Sequence, residues 1–262
     1  MVIAFFASEM KQSVYFLGTK EIGVRCLKYL IDNHHNKDVT ILGVLTNSRR
    51  LGGSQESVSE IAKENNLKII ETLEDFEKSP NADFIISVQY HKILKQKHID
   101  KANKLAVNLH MAPLPEYRGC NQFSFAIVDQ AKTFGTTLHQ LVRQADSGPI
   151  IFEQRFKIPN EAFVKDLYDI TFKESVNLFE QNVSNIFLGD YNLIPQENFE
   201  NERDFSFHFR NEIEDLKIIN EDWPTEKKKR FFRATYFPPF EPPKLLKEGE
   251  LIQLTPDYYY SL

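Results

Sequence analysis

Ser13-Val-Tyr-Phe-Leu-Gly18 is a run of β-forming residues that stops at glycine, and the chain after it turns helical in pattern from Ile22 to Ile31. The same succession recurs downstream. Val39-Thr-Ile-Leu-Gly-Val-Leu-Thr46, Phe84-Ile-Ile-Ser-Val88 and Leu105-Ala-Val-Asn-Leu109 are continuous apolar runs. Leu67-Lys-Ile-Ile70 is a shorter one, and Ser57 to Asn65 reads as helix. Strands that are apolar on both faces and alternate with helices fit a parallel sheet covered on both sides. The expected fold is α/β: a Rossmann-like, mostly parallel sheet with helices on both faces, in which ligands bind beyond the carboxyl ends of the strands. Further on, Thr136-Thr-Leu-His-Gln-Leu-Val142 and Ile150-Ile-Phe-Glu-Gln-Arg-Phe-Lys-Ile158 read as strands flanking a turn. Glu161 to Leu188, apolar at 163, 167, 170 and 178, reads as one long helix that Gly189 stops. A boundary there divides a catalytic domain, 1–188, from a smaller C-terminal region, 189–262, rich in Phe, Tyr and Pro and short on regular pattern.

Composition narrows the class. The 262 residues are 42% apolar and 26% charged, with a net charge of −5, so the chain is long enough for a sizeable core. From Ile186 onward acidic residues outnumber basic ones, fifteen to ten. That balance argues against a phosphate backbone as the main partner. Lys227-Lys-Lys-Arg230 is accordingly expected to be a solvated helix face. Cys26 and Cys120 form no framework and read as reduced thiols of a cytoplasmic protein. The opening Met1-Val-Ile-Ala-Phe-Phe-Ala-Ser-Glu-Met10 lacks a basic leader, so it reads as a strand or ragged start with Met10 an alternative first residue. No stretch has the length of a membrane span.

The chemistry concentrates in Val107-Asn-Leu-His-Met-Ala-Pro-Leu-Pro-Glu-Tyr-Arg-Gly-Cys120. Asn108 and His110 stand two apart at a strand end, so their side chains share one face, and Pro113 and Pro115 stiffen the loop that follows. The turn Ala145-Asp-Ser-Gly-Pro-Ile-Ile151 adds a carboxylate, Asp146. An amide and an imidazole can hydrogen-bond a developing oxyanion, and an imidazole with a carboxylate can move a proton. Asp146-Ser-Gly also reads as an ordinary turn. His139, inside a strand, is expected to be buried and structural. Gly18-Thr-Lys-Glu-Ile-Gly23 lacks the third glycine of a dinucleotide fingerprint. With Lys20 it offers either a phosphate-binding helix start or a plain strand-to-helix turn. No metal-ligand spacing and no serine-hydrolase elbow are present, so no metal is expected.

Asn108-Leu-His110, Pro113-Leu-Pro-Glu-Tyr-Arg-Gly119, Gly135-Thr-Thr-Leu-His139 and Asp146-Ser-Gly-Pro-Ile150 together resemble the folate-dependent formyltransferases. His110 to Phe125 is most similar to sugar N-formyltransferases acting on dTDP-linked amino-dideoxyhexoses. The likeness covers about residues 13 to 188; Phe232-Arg-Ala-Thr-Tyr-Phe-Pro-Pro-Phe240 is similar to a tail segment of the same enzymes. Met111-Ala112 departs from the Pro-Ser usual in the purine-pathway members, which weakens that branch and leaves the chemistry intact.

What the resemblance implies is specific. Asn108, His110 and Asp146 fall on the family's catalytic positions, and the co-substrate is N10-formyltetrahydrofolate. Its pterin would lie against Val88, Gln89, Tyr90 and Ile93 on one side and the backbone of Leu141, Val142 and Gln144 on the other. The acceptor would be a nucleotide-linked amino sugar, with dTDP-4-amino-4,6-dideoxyglucose favoured. A dTDP-3-amino sugar and methionyl-tRNA are the alternatives, and the latter would need an RNA-binding second domain. Lys20, Tyr117, Arg118, Asn121, Arg233, Tyr236 and Phe237 are candidates for substrate contact. Arg118 and Arg233 would meet the diphosphate, Tyr236 or Phe237 the base, and Tyr117 and Asn121 the hexose. The implied assembly is a homodimer with no nucleic-acid or membrane partner.

Overall fold

A computed structural model describes residues 11–47 and 56–262; the choice between Met1 and Met10 as the start lies outside them. By backbone packing the chain divides into two compact units, 1–108 with 183–190, and 109–182 with 191–262. The division falls within one strand and one helix, whereas the sequence reading drew its boundary after residue 188.

In the first unit, strands and helices alternate as the apolar runs require. They are β1 (Gln12–Gly18), α1 (Lys20–Asn33), β2 (Val39–Leu45), α2 (Val58–Glu64), β3 (Ile69–Ile70), α3 (Leu73–Lys78), β4 (Ala82–Val88), α4 (Gln96–Ile99) and β5 (Ala102–His110). β1 pairs in parallel with both β2 and β4, and β2 with β3. Val14, Phe16 and Leu17 of β1 and Ile85 and Val88 of β4 are fully buried, consistent with a strand covered on both faces. α2 starts where a capping box forms: the Glu60 amide donates to the Ser57 hydroxyl at 3.2 Å, and the Ser57 amide donates to the Glu60 carboxylate at 2.7 Å. The order reverses between β1 and β4, where the Thr19 amide donates to the Val88 carbonyl at 3.2 Å. That is the switch point at which open α/β sheets bind ligands.

The second unit holds β6 (Arg118–Gly119), α5 (Gln122–Val128), β7 (Thr133–Gln140), β8 (Ile150–Lys157) and most of α6 (Val164–Leu188). β7 and β8 pair antiparallel, while the strands of the first unit follow the order β3-β2-β1-β4-β5. The expected helix from Glu161 begins three residues later. Glu161 takes a left-handed conformation, φ 56°, and the Phe163 amide donates to the Asp166 carboxylate at 2.9 Å, which caps the true first turn.

The C-terminal region is more regular than its sequence pattern. A 3-10 turn, Gln196–Phe199, leads to β9 (Phe207–His208), α7 (Glu212–Leu216), β10 (Ile218–Asn220), α8 (Thr225–Thr235), β11 (Lys244–Lys247), β12 (Glu250–Gln253) and α9 (Pro256–Ser261). Elements this short leave little periodicity to read. Their core is aromatic: Phe232 and Tyr259 with Ile219 and Leu254, and Trp223, Phe163 and Tyr236 packed against them. Lys227 to Arg230 lie on α8, a helix as expected, but all four are half-buried rather than fully solvated, and the Lys227 ammonium is 3.8 Å from the Trp223 ring centroid. Among the described residues no helix is long and apolar enough to cross a membrane.

Ionic contacts hold the proline loop after β5. Arg155 donates to both oxygens of Glu116, at 2.7 and 3.0 Å, and Arg203 donates to the Leu114 carbonyl at 2.7 Å while pairing with Glu153. Arg203→Ala strands the buried Leu114 carbonyl and leaves the mostly buried Glu153 carboxylate with Arg155 alone. We expect a loss of about 1–3 kcal/mol, read as a melting temperature lowered by several degrees in a thermal scan.

Candidate active site

β5 delivers Asn108 and His110 as alternate residues at its carboxyl end; Asn108 is half-buried and His110 buried. Two threonines of β7 clamp the segment that follows. Thr136 donates its hydroxyl to the His110 carbonyl at 3.0 Å and Thr137 to the Ala112 carbonyl at 2.9 Å. The Gly135-Thr-Thr run is thus a backbone clasp. The His110 Nε2 proton goes to the Tyr117 carbonyl at 3.1 Å, since a carbonyl can only accept, and this leaves Nδ1 facing Asp146 Oδ1 at 3.7 Å.

Asp146 is the centre of the site. Its Oδ1 lies between two imidazoles, 3.7 Å from His110 and 3.6 Å from His139 Nε2, and its Oδ2 accepts the Gly119 amide at 3.0 Å. Burial pushes this carboxyl up, but His110, His139 and the Gly119 amide outweigh it and hold Asp146 well below the usual carboxylate range. The group is therefore a carboxylate at every working pH. His139 is 1% exposed, as the sequence led one to expect, yet its ring nitrogen faces the acid. Its Nδ1 donates to the Gln140 carbonyl at 2.9 Å, which fixes the ring. This residue lines the site beside Asp146, a placement that its structural reading from sequence leaves out.

The turn carrying Asp146 is held from two directions. Gln196, buried in the 3-10 turn, donates to the carbonyls of Asp146 and Gly148, both at 2.8 Å. Gly148 packs so closely that a Cβ there would lie 1.9 Å from the Gln140 carbonyl oxygen. Asp146 itself is left-handed, φ 52°. Gln196 was missed because it lies 50 residues from the acid it braces, in a region with little sequence pattern.

The other candidates fall into groups. At the switch point of the first unit, Lys20 donates to the Gln89 side chain at 3.1 Å, and Thr19 donates its hydroxyl to the Gln89 carbonyl. Val88 is buried, Tyr90 half-buried and Ile93 exposed. In the second unit Leu141 and Val142 are half-buried and Gln144 exposed. Each segment, taken by itself, offers apolar surface beside polar backbone, as a flat heterocycle requires. Among the described residues no group of three or more His, Cys, Asp or Glu is placed to hold a metal.

Of the residues considered for the acceptor, Tyr117 and Asn121 are spent on structure. The Tyr117 ring is buried against Phe134, and burial, then Asp129 and Glu116, hold its phenol far above the usual range. Asn121 donates to the carbonyls of Phe209 and Arg210 at 3.0 and 3.1 Å. Arg118 stands one residue from Gly119, with its guanidinium 5.2 Å from the Phe205 ring centroid and a buried Nε that has no hydrogen-bond partner. Arg233 lines a separate cavity of about 160 Å³ with Arg230 and Lys132. Tyr236 stacks on Phe232, and Phe237 packs against Tyr168.

Residues 10–183 match the formyl transferase family model. Methionyl-tRNA formyltransferase of Clostridium novyi is 28% identical over 197 residues, 70% of this chain and 62% of that protein. GDP-perosamine N-formyltransferase of Brucella melitensis is 28% identical over 182 residues, 69% of this chain and 67% of that protein. The match thus spans under two thirds of the length of the methionyl-tRNA enzyme. Among solved structures, an N-formyltransferase from Helicobacter canadensis, in complex with folinic acid and dTDP-3-aminofucose, superposes with a TM-score of 0.75. It is 25% identical, over 92% of this chain and 85% of that one. With the family match covering well over half its residues, this chain belongs to the formyl transferase family.

Proposed function

We propose that this protein is a cytoplasmic sugar N-formyltransferase, moving a formyl group from N10-formyltetrahydrofolate to the amine of a dTDP-linked amino-dideoxyhexose. The favoured acceptor is dTDP-4-amino-4,6-dideoxyglucose. The observation that carries the reading is the mostly buried carboxylate set between two imidazoles beyond the end of a sheet strand, in a chain of this family. Support for a nucleotide-sugar acceptor comes from the Brucella relative, named for GDP-perosamine, and from the Helicobacter structure with its dTDP-amino sugar.

The folate supplies an activated formyl carbon, and the rest is done by this chain. An unprotonated amine attacks that carbon, and negative charge grows on the formyl oxygen. Asn108 and a protonated His110 donate hydrogen bonds there as it grows. To do so His110 must release the Tyr117 carbonyl, which its Nε2 holds in the present arrangement. Asp146, already a carboxylate, accepts the proton the attacking amine loses. When the bond to the folate nitrogen breaks, Asp146 returns the proton it took from the amine to that nitrogen, leaving tetrahydrofolate and the formamide. Val88, Gln89, Tyr90 and Ile93, with Leu141, Val142 and Gln144, would hold the pterin, and Arg118 the diphosphate.

Incubation with the formyl-folate and each of four acceptors, analysed by mass spectrometry, tests the proposal. The acceptors are the dTDP-4-amino sugar, a dTDP-3-amino sugar, GDP-perosamine and charged initiator tRNA. We expect a gain of one formyl mass on the first. Formylation of the tRNA alone would replace this reading with the methionyl-tRNA one.

A further inference from the structure

We infer that Phe207 and Phe209, with Phe205 pinned beneath Arg118, form a stacking surface for the nucleobase of the acceptor. The inference rests on the nucleotide-sugar reading above and adds a binding site to it.

The segment Phe205-Ser-Phe-His-Phe209 alternates, but in the inverse of the usual sense. Its small and polar residues face inward. Ser206 Oγ accepts the Tyr117 amide at 2.8 Å, and the His208 ring lies flat on Phe125, with centroids 3.5 Å apart and an angle of 10°. Its aromatic residues face out: Phe205, Phe207 and Phe209 are 42%, 43% and 63% exposed. A strand that buries serine and histidine and exposes three phenylalanines keeps apolar surface in water that the opposite register would bury.

The register is firmly held. Arg118 pairs with Phe207 and Gly119 with His208 in parallel. The Cys120 amide donates to the His208 carbonyl at 2.9 Å, and Asn121 holds the carbonyls of Phe209 and Arg210. Gly119 is needed for this approach: its φ is 86°, and a Cβ there would lie 2.4 Å from the His208 carbonyl oxygen. The same Gly119 donates its amide to Asp146. One short stretch of backbone therefore ties the rings to the acid that receives the amine's proton.

The order of groups matches the order in the ligand. Asp146 is bonded to Gly119, Arg118 is next along the chain, and the exposed rings are on the strand paired with it. A nucleotide-linked amino sugar presents amine, diphosphate and base in that sequence. Phe207 and Phe209 meet edge to face at 5.1 Å and 69°, which offers a base one ring face and one ring edge. The rings of Tyr236 and Phe237, by contrast, are half-buried in core clusters.

Phe207→Ala, Phe209→Ala and the conservative Phe209→Trp test the site. The readouts are dTDP affinity by calorimetry, the Michaelis constants for acceptor and formyl-folate, and mass in solution by light scattering. Each alanine change is expected to weaken dTDP at least about fivefold and to raise the acceptor constant in step. The formyl-folate constant and kcat should hold, with Phe209→Trp restoring affinity. If the wild type binds dTDP and formylates the sugar nucleotide while the alanine variants bind dTDP equally well, the stacking site is wrong and the formyltransferase reading stands. A lowered oligomeric mass with unchanged dTDP affinity would reassign the rings to a subunit contact. If the wild type formylates only tRNA, the acceptor reading has failed and the stacking site falls with it.

Discussion

Asp146→Asn is expected to lower the rate of formyl transfer by about 10²–10⁴-fold, the usual worth of a positioned proton acceptor, while leaving the chain folded. The carboxamide is nearly the same size and still accepts the Gly119 amide, but it cannot take a proton. Continuous assay of folate release against wild type reads the rate, and circular dichroism reads the fold; turnover within threefold of wild type would remove Asp146 from the chemistry. A second consequence concerns acid. The folded-state carboxyl lies below its ordinary value, because His110, His139 and the Gly119 amide favour the charged form over the opposing effect of burial. Its contribution to stability is therefore fully present above the unfolded value, about pH 4, and is lost as pH falls toward the folded one. The asparagine variant never has that contribution. The gap in melting temperature between the two proteins should be widest near neutrality and narrow below about pH 4.

Gly148→Ala should do comparable damage by a different route. A methyl group there would sit 1.9 Å from the Gln140 carbonyl oxygen, a backbone atom that cannot swing aside. The turn has to move, and with it go the bonds from Gln196 to the carbonyls of Asp146 and Gly148. We expect a loss on the order of 3 kcal/mol or more, within the range of severe single substitutions. Transfer should fall at least about 10²-fold, because a carboxylate displaced by an ångström is poorly placed for the proton. Thermal denaturation and the transfer assay, run together, check this. A variant that melts within about 2 °C of wild type and retains its rate would show that the turn has room the structure does not display.

Much of the fold was legible because its signals are local. Continuous apolar strands such as Phe84-Ile-Ile-Ser-Val88 can only be buried on both faces, and β1, β2 and β4 lie where those runs lie. Asn108 and His110 were placed on one face by the period of a strand, two residues, with no tertiary information needed. The Ser57 to Asn65 helix declared its start through a serine and a glutamate three apart. The C-terminal region was not legible in this way. Strands such as Ile218–Asn220 and the two-residue Phe207–His208 are too short for a period to show, and their pairing partners are distant in sequence.

The sequence by itself therefore determined the α/β sheet and the residue types able to stabilise an oxyanion and accept a proton, because backbone geometry makes neighbours of residues one or two apart. Only the tertiary structure decided that His139 faces Asp146, that Gln196 braces the acid's turn, and that Ser206 and His208 turn inward while three phenylalanines turn out. Those arrangements depend on which distant backbones approach closely enough to share hydrogen bonds. That choice is made by packing, in which each contact depends on all the others, and no window along the chain contains it.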